Sequence, residues 1–144
     1  MPWHDACYRS LVKDVSFLVG ENAKDCGLLP LGASSHYQKQ ITACTKAAVA
    51  SGRPFKAGYI SFGDDSMFCD IIVRDGKGTY WSLFFDSDST GQMGRGGDNS
   101  IISVGQCDGI DFKPGTIGHG SFFHAVNCKA SPETVTEIIS RRTK

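Results

Sequence analysis

Neither sign of charge is in excess in this sequence, because 15 Lys and Arg residues balance 15 Asp and Glu residues. A dedicated nucleic-acid-binding protein needs a basic field, so the balance argues against nucleic acid as a partner. The sequence also lacks any apolar run near the ~20 residues of a transmembrane helix, which predicts no membrane span. No Cys-x-x-Cys pair is present, so zinc-ribbon and thioredoxin-like sites lose their usual support. We therefore expect one globular domain over residues 1–144 with no cofactor.

Cysteine, by contrast, is abundant. An even number of well-separated cysteines in a small chain predicts disulfides and an oxidising compartment. The Met1-Pro2-Trp3 start lacks the basic and apolar regions of a signal peptide, so we expect a periplasmic or secreted protein whose signal is absent from this sequence. The alternative is a cytosolic protein with free thiols. The six residues are Cys7, Cys26, Cys44, Cys69, Cys107 and Cys128.

Two disulfide pairings are suggested by the spacing. Cys26 precedes a predicted helix whose inner face carries Cys44, so a bridge between them would tie a connection across that helix. Cys107 and Cys128 close two predicted strands and can meet at the same end of a sheet. Cys7 and Cys69 are left over, either as a further bridge or as two buried thiols.

Three helices follow from the spacing of apolar residues. The first covers residues 4–19, and the second is capped by Ser34 or Ser35 and ends at Ser51-Gly52. The third opens at Ser131-Pro132. The Gly- and Pro-containing segment 24–32 is expected to be an ordered connection. The predicted inward faces are Cys7, Leu11, Val15 and Leu18; Tyr37, Ile41, Cys44 and Ala48; and Val135, Ile138 and Ile139.

After Pro54 the sequence becomes rich in aromatic and β-branched residues, which indicates strands. Short turn-like joints favour antiparallel neighbours. The second strand is apolar on both sides, so we expect it to be covered on both faces. The fold class is therefore α+β: a mostly antiparallel sheet of about five strands with two N-terminal helices and one C-terminal helix. The predicted strands are Phe55–Phe62, Met67–Arg74, Gly78–Asp86, Ser100–Cys107 and Ser121–Cys128.

A polar, glycine-rich loop over residues 86–99 is a candidate contact surface, because loops on rigid scaffolds often carry recognition. Its opening, with Asp86, Asp88 and Thr90, is similar to a calcium loop. The twelfth position is Gly97 rather than the bidentate Glu of an EF-hand, so we favour a solvated turn over a metal site. The candidate partner-binding residues are Asp86, Asp88, Met93 and Arg95.

A catalytic alternative rests on one cysteine and two histidines. In the first turn of a helix Cys7 would have thiolate character, and His119 or His124 would serve as its base. This layout resembles papain-like and NlpC-type peptidoglycan amidases, although Tyr8-Arg9-Ser10 replaces the small residues those families carry after the cysteine. A second version is a nuclease toxin that uses His119 and His124. Their odd spacing on a strand directs them to opposite faces.

Several short motifs lie between about residues 24 and 130: Asp25-Cys26-Gly27, Cys44, Arg53-Pro54-Phe55, Arg74–Gly78 before Tyr80-Trp81, Phe85–Asp88, and Cys107 with Cys128. Together they resemble small cysteine-bridged periplasmic or secreted bacterial domains, some of which act as immunity proteins that block a toxin. Because no convincing catalytic constellation is present and loop 86–99 is a candidate contact surface, we expect a non-enzymatic binding protein that acts by protein–protein contact. The resemblance implies an inhibitor or immunity type, and the alternative is the small hydrolase above.

Overall fold

A six-stranded mixed β-sheet forms the centre of the fold, with strands in the order β1-β2-β3-β4-β5-β8, and a second sheet pairs β6 with β7. This computed structural model describes residues 7, 9–29, 34–62, 67–86, 101–112 and 123–142. The strands are β1 (Lys24–Leu29), β2 (Phe55–Phe62), β3 (Met67–Arg74), β4 (Tyr80–Asp86), β5 (Ile101–Cys107), β6 (Gly109–Asp111), β7 (His124–Val126) and β8 (Lys129–Ala130).

The strands from β2 to β5 pair antiparallel in chain order, and β8 adds antiparallel to β5. The β3–β4 turn is held by the Asp75 carboxylate. It accepts hydrogen bonds of 2.9 Å from the backbone N–H groups of Lys77 and Thr79 and from Nε1 of Trp81. Gly78 in this turn has a φ of 86°, which favours glycine. The predicted α+β class with a mostly antiparallel sheet is confirmed, but the sheet has six strands rather than about five.

The prediction that residues 24–32 form a connection is wrong for their described part, because Lys24–Leu29 is the edge strand β1. It pairs parallel with β2, and the intervening chain contains the helix Ser35–Ser51. A bulge between Asp25 and Gly27 interrupts the pairing, with a φ of 97° at Gly27. Because a bulge re-aims a side chain, Cys26 is turned toward that helix rather than following simple alternation.

In the described part of the chain, three α-helices accompany the sheet: α1 (Ser16–Val19), α2 (Ser35–Ser51) and α3 (Pro132–Arg142). The hydroxyl of Ser34 caps α2 by accepting a hydrogen bond of 3.2 Å from the Tyr37 N–H, and Gly52 ends the helix in the left-handed conformation. Both ends of α2 match the prediction.

The first and third helices differ in detail from the predicted ones. A π-helical turn at Ser10–Asp14 precedes α1, and its wider turn alters the spacing of the inward residues. Val19 is consequently buried while Leu18 stays partly exposed. On α3, Ile138 is buried but Ile139 is 49% exposed, so its predicted inward position is wrong. Adjacent helical residues diverge by about 100°, and the inner face follows Ile138.

The two faces of the central sheet carry separate cores. The front segment (residues 7 and 9–19) and α3 cover one face, where Cys69, Ile71 and Val73 of β3 are buried. Helix α2 and residues of the β6–β7 sheet cover the other, where Ile72 is buried. The prediction that this strand is covered on both faces is confirmed at its middle, where Ile71 and Ile72 are both buried.

Three disulfides join these layers, and all six cysteines are described, with none free. Two bridges are the predicted pairs, and the third joins the front segment to β3. Cys128 lies beyond β7, because in the described part of the predicted strand Ser121–Cys128, residues 123–128, the strand covers His124–Val126. Such bridges fit a protein that folds in an oxidising compartment. No described helix is long and apolar enough to cross a membrane. The bridges are Cys7–Cys69, Cys26–Cys44 and Cys107–Cys128.

Candidate functional site

The sheet face beneath α2 and the β6–β7 sheet is unevenly covered. Toward the start of β2, its inward residues Phe55 and Ala57 are fully buried. Toward the end at which β4 finishes, four side chains on the same face are only partly buried. We call them the Asp70 patch: Tyr59, Phe68, Asp70 and Phe84.

Strand register fixes the positions of these side chains. Tyr59, Asp70 and Phe84 lie directly opposite one another across β2, β3 and β4. Residues so paired have Cβ atoms about 4.5–5.5 Å apart. Phe68 lies two residues before Asp70, and its ring centroid is 5.2 Å from that of Phe84. Tyr59 makes an edge contact with the buried Phe123, at 5.8 Å between centroids. Three aromatic side chains therefore border one carboxylate on a hydrogen-bonded sheet.

Among the described residues, no hydrogen-bond donor or opposite charge stabilises the ionised Asp70 carboxylate. Burial raises the pKa of Asp70 to about 6, and no hydrogen bond or opposite charge contributes to the shift. Asp75 accepts three hydrogen bonds, and Asp14 is paired with Arg142 at 2.7 Å. An acid buried beside aromatic rings opposes folding when ionised, and such perturbed groups cluster at functional sites.

The predicted contact loop begins at the same end of the sheet. Asp86 is the last residue of β4 and lies opposite Phe68 on β3 and Ile101 on β5. The described residues on either side of this segment, Asp86 and Ile101, therefore lie in the same cross-strand row as Phe68 of the Asp70 patch. The other predicted loop residues lie outside the described residues: Asp88, Thr90, Met93 and Arg95.

Sequence reasoning missed Asp70 as a site residue. The available signal was a single aspartate at an inward position of a strand, between the apolar residues Phe68 and Ile72 on the same side. This pattern indicates that burying the carboxylate costs free energy, but it does not identify a functional site. The aromatic neighbours come from β2 and β4 and become visible only with the register.

The cysteine amidase hypothesis is wrong for this structure. The Sγ atom of Cys7 is bonded to that of Cys69, and Cys7 is 0% exposed, so it presents no thiolate. His119 lies outside the described residues. His124 is on β7, with Nε2 3.9 Å from Oδ2 of Asp111, opposite it on β6. Both side chains are partly exposed, which allows hydrogen bonding to solvent or ligand.

The structure does not test the calcium-like motif, because Asp86 is described but Asp88 and Thr90 lie outside the described residues. Within the described ranges, no group of three or more His, Cys, Asp or Glu side chains is arranged to hold a metal ion.

Two clefts lie elsewhere on the described surface. One, of about 380 Å³, adjoins the Cys26–Cys44 bridge and has the cations Lys24 and Arg53 at its border. The other, of about 420 Å³, lies between the end of β5 and the start of α3 and is mainly polar. Neither lining combines a carboxylate with aromatic side chains as the Asp70 patch does. The second cleft is lined by Gln106, Cys107, Asp108, Asn127, Lys129, Ala130, Ser131 and Glu133.

Comparisons with protein-family models, curated proteins and solved structures gave no match to this chain. The resemblance to cysteine-bridged exported bacterial domains therefore stays a prediction. Function has to be inferred from the chemistry of the site.

Proposed function

We propose that this chain is a non-enzymatic periplasmic or secreted binding protein that contacts a protein partner through the Asp70 patch and the adjoining loop after Asp86. The observation that carries the proposal is the partly exposed aromatic cluster around a carboxylate whose charge no described residue compensates. Large aromatic side chains dominate the binding energy of many interfaces. Action as an inhibitor or immunity protein fits this proposal, since blocking by contact requires no catalytic group.

The position of the patch on paired strands also favours binding. Phe84 and Asp70 lie within an antiparallel ladder, and Phe68 packs against Phe84, so their side chains are ordered before a partner arrives. A preorganised surface loses less conformational entropy on association than a mobile one. Disulfides on neighbouring elements support the same rigidity, including Cys7–Cys69 on β3.

Site-specific photo-crosslinking in cells that produce the protein tests this location. Ser103 is exposed and lies opposite Phe84, so a photoreactive amino acid there would face a bound partner. Ile139 on α3 is the matched control, because it is exposed but belongs to the opposite layer. We expect a discrete covalent adduct from position 103 and none of the same mass from position 139.

The partner identified by mass spectrometry would then be purified and titrated against variants. Phe84→Leu keeps the apolar volume but removes the ring, and we expect it to weaken binding by roughly tenfold or more. Ile139→Ser should bind as the wild type does. The single loop variants Asp86→Ala, Asp88→Ala, Met93→Ala and Arg95→Ala should weaken binding without lowering the melting temperature. Equal affinity of wild type and Phe84→Leu would remove the patch from the proposal, and unchanged binding in all four loop variants would remove the loop.

A further inference from the structure

We infer that the Asp70 patch receives an arginine side chain of the partner protein, whose guanidinium pairs with the Asp70 carboxylate and stacks on the neighbouring rings. The inference rests on the proposed function and adds the chemistry that the surface recognises. It is carried by the arrangement of Tyr59, Phe68 and Phe84 around one acid.

The first step concerns charge. Among the described residues, no counter-ion or hydrogen-bond donor offsets the ionised Asp70 carboxylate, so a cation from another molecule would remove an existing cost. Aromatic ring faces also attract cations.

The second step distinguishes arginine from other cations. A guanidinium is planar, weakly hydrated and able to bond one carboxylate through two N–H groups while stacking on a ring. An ammonium is a strongly hydrated point charge, and a calcium ion needs six or more oxygen ligands, whereas this patch offers one carboxylate. The patch therefore fits the flat cation best.

The opposite face of the sheet already contains this arrangement within the chain. Arg142 bonds Asp14 through Nη2 at 2.7 Å and Nε at 3.2 Å, and its Cζ atom is 5.8 Å from the ring centroid of Phe85. There, the acid, the aromatic ring and the arginine are all supplied by the protein. At Asp70 the acid and the rings are present, and the partner would supply the arginine.

NMR titration of the ¹⁵N-labelled, disulfide-intact protein tests the inference. The probe is the capped peptide Ac-Gly-Arg-Gly-NH2, compared with peptides carrying citrulline or lysine in place of arginine. Citrulline keeps the shape and loses the charge. We expect saturable shifts of the Tyr59, Asp70 and Phe84 amide signals, with a dissociation constant on the order of millimolar for so small a probe. The citrulline peptide should bind roughly tenfold more weakly, with lysine between the two.

Two variants and one control complete the experiment. Asp70→Asn should abolish the preference for arginine over citrulline, and Phe84→Leu should reduce arginine affinity by a few-fold. Asp108→Asn, an exposed acid in the polar cleft, should behave as wild type. Equal binding of arginine and citrulline peptides, or arginine binding unchanged by Asp70→Asn, would overturn the inference.

If the purified partner loses affinity for Phe84→Leu but not for Asp70→Asn, the binding surface stands and arginine recognition fails. If neither variant lowers the affinity for the purified partner, both the binding surface and arginine recognition are rejected.

Discussion

At the scale of a single residue, Asp70 makes stability depend on pH in a direction opposite to that of a salt-bridged acid. The carboxyl has a pKa of about 6 in the folded protein, against about 3.9 when unperturbed. The folded state therefore holds the proton more tightly than the unfolded state between these values. The contribution of this group to the free energy of unfolding is most favourable below pH ~4 and falls as pH rises through ~6.

Asp70→Asn removes this ionisation while nearly keeping the side-chain shape. We expect the variant to be more stable than wild type by about 1–2 kcal/mol above pH 7, because two pKa units correspond to less than about 3 kcal/mol and partial exposure screens the charge. The gain should shrink toward zero near pH ~4. Urea unfolding of the oxidised protein at several pH values measures this gain in the free energy of unfolding, with Asp108→Asn as the control. A difference that does not vary with pH would contradict the argument.

At the scale of one element, the β3–β4 hairpin depends on the buried Asp75. Its carboxylate accepts from two backbone N–H groups and from the Trp81 indole, so one side chain fixes both the turn and the ring. Asp75→Asn replaces an acceptor oxygen with an NH2 group that faces donors. We expect a loss of about 2–3 kcal/mol in the free energy of unfolding.

The matched control for that change is Lys77→Ala in the same turn. Lys77 is exposed and contributes its backbone N–H, which alanine keeps. Equilibrium unfolding followed by Trp fluorescence compares the two variants. If Asp75→Asn is no less stable than Lys77→Ala, the three hydrogen bonds do not hold the hairpin as described.

The elements also show how far the sequence predicts the fold. Helix α2 and strands β2 to β5 were predictable because caps, turn residues and alternation are local signals. Strand β1 was not, since its partner Phe55 follows a whole helix and the bulge at Cys26 breaks the alternation. The two-residue strand β8 is set by pairing with Gly105 and Gln106, far along the chain. The Asp70 patch was missed for the same reason, because its members come from three strands.

At the scale of the whole molecule, the disulfide bridges link the layers of the fold covalently. Without them, only side-chain packing in the two separate cores would hold these layers together. Cys7–Cys69 closes a separation of 62 residues and lies fully inside one core, where both cysteines are almost inaccessible. The other bridges close separations of 18 and 21 residues. Because longer closures restrict the unfolded chain more, the first bridge should contribute the most.

Paired replacement of the cysteines tests this ranking. We expect Cys7→Ala with Cys69→Ala to lower the free energy of unfolding by about 4 kcal/mol from chain entropy, plus the cost of a cavity, against about 3 kcal/mol for Cys107→Ser with Cys128→Ser. Urea unfolding of both variants measures this difference in the free energy of unfolding. In a separate measurement, the native wild-type protein should show no thiol that reacts with iodoacetamide. An equal loss in the two variants would mean that the front segment is held by the apolar contacts of Leu11 and Val15 rather than by the bridge, since these residues lie in the same core. A reactive thiol at Cys7 would instead reopen the nucleophilic chemistry that the bridge excludes.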